Sequence, residues 1–265
     1  MTTKIDLTEI LGRARAVLPQ ASAIAMRNFR TAVGSWEKGP GQIVTEADVA
    51  IDRLLHERLR RPDEAWLSEE TADDRSRLTG RGCWVVDPID GTRSFAEGKP
   101  EFSICIGYLV DGQPVVGIVA NPATGETFEA VAGQGAFLNG QPLPRLTDGP
   151  IAQPRIAASR TEVRKRPLAW LAPDAVWTML GSLALKLAFV AAGRFDAYVT
   201  LRRTNDWDIA AADVILREVG VRLTEPDGTP VRYDGQQPTH KGLVAAPAGL
   251  QRILLDRLAA AFPVR

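Results

Sequence analysis

The stretch WVVDPIDGTRSFAEG, residues 84–98, decides how the rest of the chain is read. An apolar, strand-like run ends at Asp87, and Asp90 follows with only Pro88 and Ile89 between them. Like charges this close repel, and partly buried carboxylates are costly to ionise. The pairing makes sense if a cation belongs there. The Asp87–Pro88 bond forces an extended bend, which lets Asp87 and Asp90 converge and leaves the Ile89 carbonyl as a further oxygen ligand. Gly91 and Thr92 then offer backbone N–H groups and a hydroxyl, and a glycine lets the backbone approach an anion closely.

Other acids stand where apolar elements end: Glu69 and Glu70 in WLSEET, Asp208 in NDWDIAAAD, and Asp48 in VTEAD, the last two at expected helix starts. Strand ends and helix starts are where a rigid scaffold meets solvent and where sites are built. Oxygen-only clusters suit hard cations such as Mg²⁺ or Mn²⁺, and Asp87 would bridge two neighbouring ions. Taken singly, each piece has an ordinary explanation. A Glu-Glu pair is loop material, Asp48 and Asp208 are first-turn helix acids, and Asp-Gly is turn chemistry.

Around these residues the chain of 265 residues is long enough for one large or two modest domains, and its composition is that of a globular protein. Lys+Arg and Asp+Glu are both 32, so the balanced charge argues against nucleic-acid or membrane binding through a basic surface. The longest apolar stretch, LALKLAFVAAG, contains Lys186 and is too short to span a bilayer. The start lacks a signal-peptide layout, and Cys83 and Cys105 lack metal-type spacing, so both read as core thiols in a cytoplasmic protein.

Periodicity predicts a helix over 7–30 with Asp6 as N-cap, then two short strands in AVGSWEKGPGQIVT. A second helix starts near Glu46, with Val49, Leu54, Leu55 and Leu59 as its apolar positions and Pro62 ending it. From Cys83 the pattern is strands, with a hairpin at Asp111-Gly112 and hairpin turns in GQGAFLNG. The Pro/Gly-rich segment 139–150 looks like a boundary, placing an α+β metal-binding domain over 1–145 and an α/β domain over 146–265. In the second part RIAAS, DAYVTL and GLVAAP read as strands; SLALKLAFVAAG, Asp208 to Val219 and the stretch from Leu250 read as helices. No nucleophile elbow or zinc helix is present, and His56 and His240 read as surface or structural histidines.

These motifs together resemble the inositol monophosphatase superfamily over nearly the whole chain. VTEADVAID is similar to its V-T-x-x-D segment, LSEET to its G-E-E motif with Ser68 where glycine is usual, WVVDPIDGT to its central signature, and NDWDIAAADVILREVG to its W-D-x-A-A motif. The resemblance implies a layered αβαβα sandwich and a lithium-sensitive, Mg²⁺-dependent phosphomonoesterase, with Mn²⁺ as a substitute ion. It implies that Glu69, Asp87 and the Ile89 carbonyl hold one metal, that Asp87, Asp90 and Asp208 hold a second, and that Asp48 and Glu69 help hold a third or its waters. Gly91 and Thr92 would bind phosphate, Thr92 with Asp48 would orient the attacking water, and Lys38 matches a lysine near the mobile loop over the site. A homodimer and a small phosphorylated substrate are the implied partners.

The substrate is less determined. Inositol-specific members carry an acid shortly before the W-D motif, and seven residues before Asp208 this chain has Leu201. Arg202 and Arg203 follow, either as forks for a second phosphate or as ordinary loop cations. The residues therefore point first to inositol 1-phosphate or a similar polyol or sugar phosphate. The alternative is 3'-phosphoadenosine 5'-phosphate, as in the 3'(2'),5'-bisphosphate nucleotidases that TNDWD resembles. A non-catalytic partner of the transcription machinery is a third reading, known from bacterial relatives.

Overall fold

A computed structural model describes residues 5–31, 35–39, 42–149, 151–165 and 168–262. The chain opens with α1 (Leu7–Asn28), a hairpin of β1 (Ser35–Gly39) and β2 (Gln42–Thr45), and α2 (Glu46–Leu59). Then come β3 (Ala65–Ser68), β4 (Gly82–Asp90), the short α3 (Thr92–Ala96), β5 (Ser103–Val110), β6 (Gln113–Asn121), β7 (Glu126–Val131), β8 (Ala136–Leu138) and β9 (Gln141–Pro142). The remainder runs through β10 (Arg155–Ser159), α4 (Arg160–Lys165), β11 (Val176–Leu180), α5 (Leu183–Ala191), β12 (Ala197–Thr200) and β13 (Thr204–Asn205). It ends with α6 (Asp206–Glu218), β14 (Arg222–Thr224), β15 (Thr239–His240), β16 (Leu243–Ala246) and α7 (Ala248–Ala261).

Strands β3 to β9 form a seven-stranded sheet in sequence order, with β3 and β4 parallel and the later neighbours antiparallel. The second sheet has five strands in the order β11-β10-β12-β16-β14. It is mixed: β10 runs parallel to β11 and β12, while β16 is antiparallel to β12 and β14.

Side-chain alternation along β4 sorts the layers. Trp84 and Val86 join α1 and α2 in one apolar cluster, with Ala14, Ile51 and Leu55. Cys83 and Val85 face the other way, into a cluster with α5 and α6 that also takes Ala157, Tyr198 and Ala245 from the second sheet. That sheet's outer face, Ile156, Val199 and Val244, is covered by Leu254 and Leu258 of α7. The order is therefore helices, seven-stranded sheet, helices, five-stranded sheet, helix, the αβαβα sandwich expected from the sequence. β4 is buried on both faces, which is why it reads as a continuous apolar run.

Helix α6 lies close on the large sheet because glycines receive it. A Cβ on Gly117 would stand 2.1 Å from the Ala211 carbonyl oxygen, and one on Gly107 3.2 Å from the Ala211 nitrogen. The alanines Ala210, Ala211 and Ala212 complete this near-contact of backbones.

Several local expectations change. β4 does not stop at Asp87 but continues to Asp90. α6 starts at Asp206, two residues ahead of the expected Asp208. Val49 is exposed, since α2 buries the face of Ala47, Ile51, Leu54 and Leu55 and Val49 lies on the far side. Residues 176–180 form the edge strand β11, which no sequence pattern marks. The hairpin at Asp111-Gly112 holds, with φ of 50° and 70°, the left-handed pair a type I′ turn requires. Both cysteines are buried free thiols.

Candidate active site

The site forms at the C-terminal end of β4. Asp87 pairs with Cys105 and Asp90 with Ser103, so three steps on β4 oppose two on β5. In an unbroken strand residues three apart face opposite sides; the extra residue restores the parity. Val86 and Ile89 accordingly share the α1–α2 cluster. Asp87 and Asp90 face the α5–α6 side, where Asp90 meets the start of α5.

The starts of three helices converge here, and each consumes carboxylate oxygens of the cluster. Asp48 is the third residue of α2 and completes a capping box: its Oδ2 accepts from the Thr45 N–H at 2.8 Å and the Thr45 hydroxyl at 2.5 Å. Asp208 holds the same place in α6, its Oδ2 accepting the Asn205 N–H at 2.8 Å. Asp90 Oδ2 accepts the Ser182 hydroxyl at 2.5 Å and the Ala184 N–H at 2.6 Å at the start of α5. The plain helix-acid reading and the functional reading of Asp48 and Asp208 are thus compatible, because capping takes one oxygen of each.

Oxygens of Glu69, Asp87 and Asp208 all lie within 4.8 Å of one another. Asp87 is buried; its Oδ1 accepts the Ile89 N–H at 3.0 Å, and its Oδ2 has no hydrogen-bond partner among the described residues. Burial, then the charges of Glu69, Asp90, Asp208 and Asp48, push the Asp87 carboxyl well above its usual range. Burial and Asp90 raise Asp208 to about 7. Burial raises Asp48 to about 6 against the Thr45 hydrogen bonds that lower it. An orphaned buried carboxylate oxygen among like charges, in a cluster built from the carboxylates of Glu69, Asp87 and Asp208, fits a divalent cation such as Mg²⁺ or Mn²⁺.

Thr92 bridges the two sides of the site. Its hydroxyl is 2.9 Å from the Ile89 carbonyl oxygen, to which it donates, and 3.4 Å from Asp48 Oδ1. Gly91 caps α3 at φ 89°, and a Cβ there would fall 2.9 Å from both the Glu101 carbonyl oxygen and the Ser182 nitrogen. Any other residue would be strained and crowded at that corner.

Lys38 lies in β1, and its side chain is outside the described residues. Arg202 and Arg203 are exposed on the connection from β12 to β13, with Arg203 donating to the Thr239 hydroxyl at 2.8 Å. His240 is buried and structural: its Nε2 is 2.8 Å from Asp206 Oδ1.

Sequence reasoning missed the support of the Glu69–Glu70 loop. Asp52, one turn after Asp48, accepts the Ser68 hydroxyl at 2.6 Å and the Thr71 hydroxyl at 2.7 Å, so both ends of the loop are tied to α2. Ser68, where glycine is usual in the resembled motif, thereby gains a partner. The signal was legible as an acid at i+4 on the helix and hydroxyls flanking Glu-Glu.

The sequence profile of the inositol monophosphatase family matches residues 6–263. Inositol monophosphatase 3 of Solanum lycopersicum is 33% identical, over 84% of this chain and 88% of its own length. Nus factor SuhB of Haemophilus influenzae is 31% identical, over 90% and 91%. Among solved structures, staphylococcal IMPase-II bound to 2'AMP superposes with a TM-score of 0.82 at 27% identity, over 96% of this chain and 95% of that one.

Proposed function

Because the chain belongs to the inositol monophosphatase family, a family of phosphoric monoester hydrolases, we propose that it hydrolyses inositol 1-phosphate or a similar polyol or sugar phosphate with Mg²⁺ as cofactor. The observation that carries this reading is Asp87, whose buried Oδ2 has no hydrogen-bond partner among the described residues and whose carboxylate clusters with those of Glu69 and Asp208.

Glu69, Asp87 and the Ile89 carbonyl would hold one ion, and Asp87, Asp90 and Asp208 a second. Asp48 with Glu69 would support a third or its waters, and Mn²⁺ suits the same oxygens. When bound, the ions supply Lewis acidity toward the phosphoryl group and the attacking water. The chain's own residues do the rest. Thr92 and Asp48 orient the water, their side chains meeting at 3.4 Å between the Thr92 hydroxyl and Asp48 Oδ1. The Gly91 and Thr92 N–H groups receive phosphate oxygens at the start of α3. The resemblance gives Lys38 of β1 a substrate-binding role; its side chain lies outside the described residues. No protein nucleophile is required for in-line attack by water.

A second reading, a 3'(2'),5'-bisphosphate nucleotidase, draws support from Arg202 and Arg203 beside α6 and from the 2'AMP complex of the staphylococcal relative. A third, a non-catalytic partner of the transcription machinery, draws on the Haemophilus relative's name alone. A cytoplasmic, lithium-sensitive homodimer completes the proposal. Side-by-side kcat/KM values for inositol 1-phosphate and 3'-phosphoadenosine 5'-phosphate decide between the first two readings. Release of no phosphate from either ester, with Mg²⁺ or Mn²⁺ supplied, would leave the third.

A further inference from the structure

Helix α5 is apolar apart from Lys186, which is buried at 3% exposure. An ammonium in such a place must have its donors satisfied. Lys186 Nζ donates to the Ser182 carbonyl at 2.5 Å, the Gly181 carbonyl at 3.0 Å and the Leu180 carbonyl at 3.4 Å. Three consecutive carbonyls of one turn, the link from β11 to α5, thus converge on one cation.

That turn is strained. Ser182 sits at φ 46°, a left-handed conformation that a non-glycine residue adopts at a cost. The strain is tied to the site, because the Ser182 hydroxyl and the Ala184 N–H both bond Asp90 Oδ2. The same hydroxyl accepts the Leu185 N–H at 3.0 Å, which fixes its direction, and lies 3.0 Å from the Ser103 hydroxyl.

We propose that Lys186 is a positioning residue for Asp90: by clamping the carbonyls of residues 180–182 it holds the Ser182 turn, which occupies Asp90 Oδ2 and leaves Oδ1 to coordinate metal. This rests on the assignment of Asp90 as a metal ligand. A lysine that only filled space in α5 could be exchanged for methionine without consequence for the carboxylates. A lysine acting through Ser182 cannot.

The test is calorimetric titration of Mn²⁺ into the metal-free full chain, for wild type, Lys186→Met, Ser182→Ala and the double variant, with phosphate release followed as a function of Mg²⁺. Each single variant should weaken metal affinity ~10-fold or more, the usual effect of removing a partner that orients a ligand. The double variant should be no worse than the weaker single, since both act along one route. Lys186→Met with wild-type affinity overturns the proposal. If Lys186→Met does not fold, Ser182→Ala decides, and wild-type affinity there overturns it equally. A wild-type protein that binds no Mn²⁺ removes the metal assignment itself, a different result from a wild type that binds and a Lys186→Met that binds as well.

Discussion

Asp87 and Asp90 lie three residues apart on β4 yet face the same side of the sheet, because one extra residue between them shifts the register against Cys105 and Ser103. The bulge brings two carboxylates together in a buried setting, and repulsion from its neighbours adds to burial in raising the Asp87 carboxyl. In metal-free protein at neutral pH, Asp87→Asn should therefore raise the melting temperature by a few degrees, the scale of ~1 kcal/mol in a protein of this size. Differential scanning fluorimetry in chelator measures it. A lower melting temperature would mean that Asp87 stabilises the empty site.

Stability should depend on pH in an unusual direction. The folded-state values of Asp48, about 6, and Asp208, about 7, lie above the ordinary carboxylate value of 3.8, with burial as the main cause. A group with a raised folded pKa contributes fully below its unfolded value and loses that contribution as pH rises through the folded value. Metal-free protein should thus lose melting temperature between pH 5 and 8 through these groups. Added Mg²⁺, which pairs with the ionised forms, should raise the melting temperature more at pH 8 than at pH 5. Melting curves at both pH values, with and without Mg²⁺, check both signs.

Gly117 connects packing to the site. A Cβ there would meet the backbone of α6 at Ala211, three residues after Asp208. Gly117→Ala should push α6 off the sheet, costing ~1–3 kcal/mol as overpacking does. It should also weaken Mg²⁺ binding by moving Asp208. Chemical denaturation and Mg²⁺ titration of the same variant measure the two effects.

Arg202 separates the substrate readings. If it receives a second phosphate, Arg202→Ala should lower kcat/KM for 3'-phosphoadenosine 5'-phosphate ~10-fold or more, since hydrogen bonds to charged groups carry about 1.5–3 kcal/mol. Inositol 1-phosphate turnover should be unchanged. If the substrate is a polyol phosphate, wild type should prefer inositol 1-phosphate and the substitution should leave both rates within about twofold, the scale of a solvated surface charge.

The layers and the acidic cluster were legible because their signals are local. The unbroken apolar run through Val85 and Val86 marks a strand buried on both faces, and Asp48 as a first-turn acid marks a helix start as well as a site residue. What was not legible depends on contacts between distant segments. The bulge at Asp87–Asp90 resembles a turn in one dimension, because Pro88 and Gly91 are turn residues; only pairing with β5 shows that the strand continues. Edge strand β11 lacks full burial, so VWTML carries no clear alternation. The roles of Asp52, Ser182 and Lys186 exist only once α2 meets β3 and α5 meets β4.

The most direct test of the central claim is Mg²⁺-dependent phosphate release by wild type and Asp87→Asn, with Mg²⁺ binding followed calorimetrically on the same samples. Wild type should bind Mg²⁺ and release phosphate from inositol 1-phosphate or 3'-phosphoadenosine 5'-phosphate. Asp87→Asn should stay folded and lose roughly 1,000-fold or more of the activity together with the binding. Asp87→Asn that retains Mg²⁺ binding and activity would contradict the assignment of Asp87 as the carboxylate on which the site is built.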